Sequence, residues 1–331
     1  MAARKKLLVV TGATGFVGRH FVERILAEKD IDVRCLVRPG SDTKALAAMG
    51  KRVTFVDGDI TRPESLATAF DGAWAVVNLA GYREFWSRHR DHFYEVNERG
   101  ASNVFRACLD AGVKKVVQVS TPLAYGAPAR IPFDEDTPPG EHASDYARSK
   151  YLGDEAGWDL HRSEGLPLTT VYLAAVIGAG DDKSTMEVKR AVQKKLPVLV
   201  GADTTYTYLY VRDAAEAIAR ALLTKHSVGR RYLIGNQRAT TREYFNMIGK
   251  LAGVPIPSVN IQESWLFPLA TGMEWLSRKT GNRPVLPLDV IKTTAAGSLL
   301  FDDRRAIEEL GMTYTPLKTA LQESVEEILA A

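Results

Sequence analysis

The feature that most constrains this fold is a turn with three regularly spaced glycines near the start of the chain. Gly12, Gly15 and Gly18 follow an apolar run at residues 7–11 and precede an amphipathic stretch at residues 16–29. Glycine has no Cβ, so it permits a tight turn and lets a phosphate group approach the backbone N–H groups at the start of a helix. The order of strand, glycine turn and helix therefore predicts a site for the pyrophosphate of a dinucleotide.

Short apolar runs alternate with helical patterns through the first half of the chain. The runs that we interpret as buried strands lie at residues 7–11, 33–37, 53–56, 75–79, 116–120 and 169–176. Parallel strands covered by helices on both faces are apolar on both sides, as these runs are. The pattern predicts an α/β fold, a doubly wound parallel sheet of the Rossmann type with a smaller, mostly helical C-terminal substrate lobe.

The alternation breaks after Gly178, where a loop is predicted at residues 180–182. Beyond it we expect helices at residues 186–195 and 213–223, a strand at 206–211, and helices separated by Pro- and Gly-containing turns from 240 to 331. The predicted dinucleotide-binding domain covers residues 1–177, and the chain returns to it at about 204–235. Residues 178–203 and 236–331 form the predicted substrate-binding lobe, over the strand ends where such sheets bind ligands.

A tyrosine and a lysine four residues apart lie on the predicted helix at residues 144–164. Tyr146 and Lys150 share one helix face, where an ammonium can stabilise a phenolate. Tyr314 and Lys318 have the same spacing, but Pro316 between them disfavours a helix. With the hydroxyls of Ser120 and Thr121 lying between the glycine turn and the Tyr/Lys pair in sequence, the pattern predicts hydride transfer to or from a nicotinamide, with Tyr146 moving the proton.

Basic residues at the end of the second predicted strand bear on the choice between NADP and NAD. A site for NAD usually has an acid there to hold the ribose diol, whereas this chain has Arg38, with Lys44 shortly after it. The arginine fork is suited to a 2′-phosphate. Asp32 lies at the wrong end of the strand to be the missing acid. We therefore predict that NADP(H) is preferred, with NAD(H) as the alternative.

A series of ordered motifs resembles those of the extended short-chain dehydrogenase/reductase superfamily over essentially the whole chain. The motifs are Thr-Gly-x-x-Gly-x-x-Gly at residues 11–18, Asp59-Ile60, Asn78-Leu79-Ala80-Gly81, Tyr94-Glu95-Val96-Asn97, Ser120-Thr121 ahead of Tyr125-Gly126, and Tyr146 with Lys150. Motifs in this number and order are specific for a fold, but much less so for a reaction.

The resemblance implies roles for individual residues. Tyr146 would be the acid/base, Lys150 would bind the nicotinamide ribose and stabilise the phenolate, and Thr121 would hydrogen-bond the substrate oxygen, with Ser120 as its neighbour. Besides Arg38 and Lys44, the expected cofactor contacts are Gly12, Thr14, Gly15, Phe16, Val17, Asp59, Ile60, Leu79, Ala80, Gly81, Asn97, Val119, Tyr146, Lys150, Ala175 and Val176. A homodimer formed through two helices per subunit is common in the superfamily.

Two departures from the superfamily's patterns narrow the reaction. Sugar-nucleotide 4,6-dehydratases follow the catalytic Thr with Asp-Glu, whereas Pro122 and Leu123 follow Thr121 here. Nucleotide-sugar enzymes usually place an Arg where this chain has Tyr206, so a diphosphate would lose a bidentate partner. Both departures favour an NADP(H)-dependent oxidoreductase that interconverts a ketone and a secondary alcohol. An NAD-dependent sugar or sugar-nucleotide epimerase that retains its cofactor is the alternative, and a non-enzymatic redox sensor is a third, disfavoured by the Tyr/Lys pair.

An apolar and aromatic stretch occupies residues 265–276 and includes Trp265, Phe267 and Trp275. Three interpretations stay open: a pocket for a hydrophobic or aromatic ketone, a core helix, or weak association with a membrane surface beside Arg278 and Lys279. Segments at residues 195–198 and 281–287 resemble the branch of the superfamily that holds dihydroflavonol-4-reductase-like and 3β-hydroxysteroid-dehydrogenase-like proteins.

Composition bears on partners and location. The net charge of +3 and the lack of a basic cluster with interleaved aromatics give no reason to expect nucleic-acid binding. No segment approaches the roughly 20 apolar residues that span a bilayer. Two isolated cysteines, with no signal-like apolar run, suit the cytoplasm. His89, Asp91 and His92 lie in a charged segment without further ligands, so we expect no metal site.

Overall fold

The computed structural model describes residues 5–180 and 184–330. The strands in that part of the chain are β1 (Lys6–Thr11), β2 (Ile31–Val37), β3 (Val53–Asp57), β4 (Ala75–Asn78), β5 (Lys115–Ser120), β6 (Leu168–Leu173), β7 (Ala175–Ile177), β8 (Leu199–Val200), β9 (Thr205–Tyr210), β10 (Arg230–Ile234), β11 (Gln237–Thr240) and β12 (Asn260–Ile261). The α-helices are α1 (Phe16–Ile25), α2 (Lys44–Ala47), α3 (Leu66–Phe70), α4 (Asp91–Tyr94), α5 (Ala101–Asp110), α6 (Asp145–Glu164), α7 (Ser184–Val192), α8 (Val211–Leu223), α9 (Thr241–Ala252), α10 (Glu263–Thr280), α11 (Leu288–Ala295), α12 (Arg304–Leu310) and α13 (Leu317–Ala330).

The main sheet has seven strands in the order β10-β6-β5-β4-β1-β2-β3, and every neighbouring pair is parallel. Successive side chains of a strand point to opposite faces. In β1, Leu8 and Val10 pack into a cluster with α1 and α8, whereas Val9 packs with α3, α5 and α6 on the other side. Both faces of the sheet are therefore covered by helices, and the predicted doubly wound fold is confirmed.

The order of strands reverses at β1, which pairs with β2 on one side and with β4 on the other. Thr11 and Asn78, the last residues of β1 and β4, are register partners. In sheets of this kind the carboxyl ends at such a reversal border a crevice that binds ligands. The glycine turn at residues 12–15 leaves β1 at this point.

The strand predicted at residues 169–176 is in fact two strands in two sheets. β6 ends at Leu173, the N–H of Ala174 donates to the carbonyl of Ile234 at 3.0 Å, and β7 then joins a small sheet in the order β11-β9-β7. The apolar run contains no turn residue, so the break could not be predicted from it.

The helices predicted around residues 144–164, 213–223 and after 240 are present, whereas α7 ends at Val192, three residues before the predicted end. Of the predicted loop at residues 180–182, residues 181 and 182 lie outside the described residues, and the division into two lobes stays a prediction.

The apolar stretch at residues 265–276 forms most of α10, and much of it lies on the surface. Trp265, Leu269, Trp275 and Leu276 are 77%, 51%, 60% and 55% exposed. Of the three interpretations left open for this stretch, that of a core helix does not hold for these four side chains. Ala270 is the member of the stretch that is fully buried.

A close contact holds α6 against the helix that carries Asn97. The segment Glu95–Gly100 between α4 and α5 is π-helical, a form often found at functional sites. A Cβ on Gly153 would lie 2.1 Å from the backbone oxygen of Asn97, so no other residue fits there without movement. This contact sets the distance between α6 and the π-helical segment.

We expect Gly153→Ala to lower the free energy of unfolding by about 1–3 kcal/mol, the usual cost of overpacking. Gly272→Ala in α10 is the matched control, because a Cβ there meets no atom within 4 Å. Replacing a helical glycine by alanine should stabilise the control by about 0.5–1 kcal/mol. Urea-induced unfolding measures both, and equal effects of the two substitutions would contradict the close-contact argument.

Candidate functional site

The glycine turn leaves backbone N–H groups available at the start of α1. Gly12 has a φ of +67°, and a Cβ on it would lie 2.6 Å from the backbone nitrogen of Ala80. Gly15 is the N-cap of α1 and provides no side-chain cap. A Cβ on Gly18 would lie 2.2 Å from the oxygen of Gly12, so α1 packs directly on the turn. N–H groups without side-chain partners at a helix N-terminus suit a phosphate, and the cradle fits the pyrophosphate of a dinucleotide.

The other residues predicted near the turn surround this cradle. Thr14, Phe16 and Val17 are half-buried at the start of α1, and Leu79, Ala80 and Gly81 follow β4 directly. The hydroxyl of Thr11 accepts a hydrogen bond from the N–H of Ala80 at 3.2 Å, which ties the two loops together. The structure therefore brings these predicted residues to one edge of the sheet.

A chain of buried polar side chains runs under this edge from β1 to α6. The Thr11 hydroxyl donates to Asn78 Oδ1 at 2.5 Å, and Asn78 Nδ2 donates to Gln118 Oε1 at 2.7 Å. Gln118 Nε2 donates to Asp154 Oδ1 at 3.3 Å, and the hydroxyl of Ser120 donates to Asp154 Oδ2. All five side chains are buried. The chain of bonds links the carboxyl ends of three adjacent strands to one carboxylate on α6.

The predicted Tyr/Lys pair lies on α6, whose N-cap is Ser144. The phenol of Tyr146 is buried beside the side chain of Thr121, and its ring meets that of Phe85 edge-on at 6.0 Å between centroids. Burial raises the pKa of Tyr146 to about 12, against the opposing effects of Arg83 and Thr121. The phenol is therefore protonated at neutral pH and stands ready as a proton donor.

Lys150 is buried one helical turn after Tyr146, and its predicted contact with a nicotinamide ribose stays a prediction. Its ammonium donates to the carbonyl of Val119 at 2.9 Å, and Asp154, one helical turn further on, attracts its charge. Burial lowers the pKa of Lys150, and Asp154 raises it. Burial likewise raises the pKa of Asp154, and Lys150 lowers it. Burial is thus the larger effect on both groups, and each opposes part of the shift of the other. Burial also dominates the pKa of Tyr146 in this structure.

Asn97 holds the loop after β4 through its side-chain amide. Its Oδ1 accepts from the N–H of Tyr82 at 2.7 Å, and its Nδ2 donates to the carbonyl of Tyr82 at 3.1 Å and to the hydroxyl of Ser149 at 3.0 Å. An amide has two N–H donors, and both are used here. Asn97 therefore positions residues 81 and 82, and its contact with a cofactor stays a prediction.

The residues predicted for the adenosine side lie at the ends of β2 and β3. Arg38 and Lys44 are exposed and, within the described residues, neither is in an ion pair with a carboxylate. Asp59 Oδ1 accepts from both the N–H and the hydroxyl of Thr61 at 2.9 Å, while Ile60 is buried. Arg38 and Lys44 thus offer positive charge near the reversal of strand order at β1. Their contact with a cofactor stays a prediction.

On the opposite side, the predicted residues Ala175 and Val176 lie in β7, exposed and buried respectively. An ion pair between Glu84 and Arg283, at 3.1 Å, joins the loop after β4 to the turn between α10 and α11. The hydroxyl of Tyr206 donates to Thr294 Oγ1 at 3.3 Å. The loop that follows β4 is therefore in contact with the later part of the chain.

Sequence reasoning missed several residues of the site, although two of them carried a signal. Asp154 follows Lys150 by four residues, so it lies on the same helix face. Gln118 is polar within the buried run 116–119, and a buried amide needs partners. Phe85 lies in a loop and gave no sequence signal. Within the described ranges, no group of three or more His, Cys, Asp and Glu side chains is placed to hold a metal ion.

The sequence pattern of the NAD dependent epimerase/dehydratase family matches residues 8–235. The 2-alkyl-3-oxoalkanoate reductase of Shewanella oneidensis is 27% identical, over 100% of this chain and 87% of its own length. The 3beta-hydroxysteroid-dehydrogenase/decarboxylase isoform 1 of Arabidopsis thaliana is also 27% identical, over 97% of this chain and 78% of its own length. The UDP-glucose 4-epimerase of Neisseria meningitidis serogroup B is 25% identical, over 76% of this chain and 84% of its own length.

Among solved structures, the crystal structure of gox2253 is similar to this fold with a TM-score of 0.83 and 29% identity, over 98% of both chains. The resemblance inferred from the ordered motifs is confirmed by these matches, which include both a reductase and a hydroxysteroid dehydrogenase.

We expect Thr11→Val to destabilise the protein, because it leaves Asn78 Oδ1 and the N–H of Ala80 without their partner, at about 1–3 kcal/mol for each group that stays buried and unpaired. Thr170→Val is the matched control, since the Thr170 hydroxyl is buried without a hydrogen-bond partner. Thr170→Val should leave the free energy of unfolding unchanged or raise it. Urea-induced unfolding of both variants measures the difference, and a neutral Thr11→Val would show that the polar chain contributes nothing to stability.

Proposed function

Because this chain belongs to the NAD dependent epimerase/dehydratase family, we propose that it is an NADP(H)-dependent oxidoreductase. Its reaction interconverts a ketone and a secondary alcohol on a hydrophobic or aromatic small molecule. The observation that carries the proposal is the buried phenol of Tyr146, which lies beside Thr121 at the edge of the sheet where the glycine turn lies.

The glycine turn would hold a nicotinamide dinucleotide, which would provide the hydride for the carbonyl carbon or take it up in the reverse direction. Tyr146 gives its proton to the oxygen that becomes an alkoxide, so the ketone gains one hydride and one proton and becomes the alcohol. Thr121 holds the same oxygen by a second hydrogen bond, which fixes its position. A phenol with a raised pKa suits this direction, since it reaches the reacting oxygen with its proton in place.

Lys150 and Asp154 support this reaction as a charged pair. The Lys150 ammonium lies behind the site, bound to the Val119 carbonyl, where it favours the phenolate that remains after proton transfer. Asp154 opposes the tendency of burial to neutralise that ammonium. Asp154 therefore acts through Lys150 and Ser120 as a positioning residue.

Two observations support the substrate class. Tyr206 occupies the position where nucleotide-sugar enzymes usually place an Arg, and its hydroxyl is directed at Thr294. Two relatives at 27% identity are named as an oxoalkanoate reductase and a hydroxysteroid dehydrogenase. An epimerase is the second candidate, because the Neisseria UDP-glucose 4-epimerase matches at 25% identity.

Buried, unpaired Cys35 and Cys108 suit the cytoplasmic location that we assign to the enzyme.

We expect Tyr146→Phe to lower kcat for ketone reduction by about 10²–10⁴-fold, the usual contribution of a general acid. The affinity for NADPH should stay nearly unchanged, because the substitution removes one hydroxyl. Tyr151→Phe on the same helix is the control, since its ring packs against His142 and should leave kcat unaltered. Steady-state rates with a panel of aromatic, steroid-like and long-chain ketones measure the effect. Activity that survives in Tyr146→Phe would rule out the mechanism.

We expect NADPH to bind more tightly than NADH, and Arg38→Ala to weaken NADPH binding by about 10- to 100-fold through loss of a charge-assisted hydrogen bond. Binding of NADH should change much less, so it is the internal control. Titration of cofactor fluorescence measures both affinities.

The dinucleotide content of the purified protein separates the two candidates. Protein that is denatured and releases stoichiometric NAD(H) would contradict the assignment of NADP(H) and favour an epimerase that retains its cofactor. An empty protein that then binds NADPH in preference to NADH supports the reductase.

A further inference from the structure

The outward side of α10 is an apolar surface that nothing else in the described chain covers. We define the α10 face as Trp265, Leu269, Trp275 and Leu276. We propose that the α10 face docks on an anionic lipid surface, with the helix lying in the plane of the headgroups. The proposal does not depend on which reaction the enzyme catalyses.

The positions of these residues form one stripe along the helix. With about 3.6 residues per turn, Trp265, Leu269 and Leu276 lie in line, and Trp275 lies beside them. Pro268 and Gly272 occupy the remaining positions of the stripe and add no polar side chain. The opposite side of α10 carries the buried Ala270 and Ser277 and packs against α11. The helix is therefore attached to the protein by one side and presents an apolar stripe on the other.

Two tryptophans on an exposed stripe are unusual in a surface that faces only water. Soluble proteins expose apolar side chains singly, whereas contiguous patches mark sites of interaction. The tryptophan ring has a large apolar body and a polar N–H, which suits the boundary between headgroups and acyl chains.

The charges around the α10 face favour an anionic partner. Arg278 and Lys279 are the charged residues of α10 that are exposed, and the Lys279 ammonium lies 3.7 Å from the centroid of the Trp275 ring. Glu274 is bound to Arg278 at 2.7 Å, and 15% of its side chain is exposed. Glu263 is half-buried, with Oε1 3.4 Å from the Thr204 hydroxyl. The exposed side of the helix thus carries positive charge without an exposed acid, and each such Lys or Arg contributes attraction to anionic lipid.

The size of the stripe favours a lipid surface over a second copy of this chain. A stable protein dimer buries about 800 Å² on each partner. Four partly exposed side chains on a single helix offer an area on the order of a few hundred Å², the scale of a small surface patch. A lipid surface requires no complementary shape and takes an amphipathic helix about 27 Å long, at 1.5 Å per residue. None of the helices in residues 5–180 and 184–330 has the length and apolar character needed to cross a membrane, so α10 would lie on the surface rather than span it.

Sedimentation with vesicles tests the proposal on the full-length protein. We expect the protein to co-sediment at low salt with vesicles of equal parts phosphatidylglycerol and phosphatidylcholine, and much less with phosphatidylcholine alone. Lys279→Gln should lower the partition coefficient about fivefold, the effect of one cation near an anionic surface. The double variant Trp265→Ser/Trp275→Ser should abolish binding. On addition of vesicles, tryptophan emission should shift to the blue for the original protein but not for the double variant.

The control is Leu329→Ser in α13, which replaces another exposed apolar side chain, 60% accessible, away from α10. It should bind vesicles as the original protein does, and all variants should keep their cofactor affinity. Failure of the original protein to bind phosphatidylglycerol vesicles would overturn the proposal. So would a dimer, detected by sedimentation velocity without lipid, that the double tryptophan variant converts to a monomer, because the α10 face would then belong to a second copy.

Discussion

The need to satisfy buried polar groups at the carboxyl ends of β1, β4 and β5 governs the arrangement of this site. A buried amide or carboxylate that lacks partners costs several kcal/mol, so each must bond to a neighbour. Here the chain of bonds from Thr11 through Asn78 and Gln118 reaches Asp154 on α6. The glycine turn, the loop after β4 and the helix with Tyr146 and Lys150 are thereby fixed relative to one another. The site is held from below by polar contacts and from both faces of the sheet by apolar ones.

Burial has opposite effects on the pKa values of three buried titratable groups on α6. It raises the pKa of Tyr146 and Asp154 and lowers that of Lys150. Lys150 and Asp154 offset each other, whereas Tyr146 has no carboxylate or ammonium bonded to its phenol among the described contacts. One helix face, with residues spaced by four, therefore holds a phenol next to an acid and a base whose charges attract each other. Burial is the largest cause of the pKa shift of all three groups, and the attraction between Lys150 and Asp154 opposes it for those two only.

Sequence reasoning reached the parts of the fold that are determined locally. The strands β1 to β5 are short, mainly apolar runs, and α6 has Ser144 as its N-cap, so their positions followed from pattern alone. The break between β6 and β7 depends on a hydrogen bond from Ala174 to Ile234, a residue 60 positions later that no local pattern reveals. The exposure of Trp265 and Trp275 likewise depends on which side of α10 meets α11. For the site, the Tyr/Lys pair and the glycine turn were visible as spacings, whereas the partners of Asn97 and the position of Phe85 required the loop after β4 to be folded.

Two glycines of the site matter for a reason that their own backbone does not disclose. Gly18 and Gly153 lie within helices, with φ values that any residue adopts, yet backbone oxygens of other segments occupy the space where a side chain would begin. Selection at these positions therefore acts through the neighbours, and a homologue could replace either glycine only if a whole segment moved with it. The positions of this enzyme at which substitution is most restricted are thus glycines, where the restriction comes from neighbouring backbone and not from any side chain of their own.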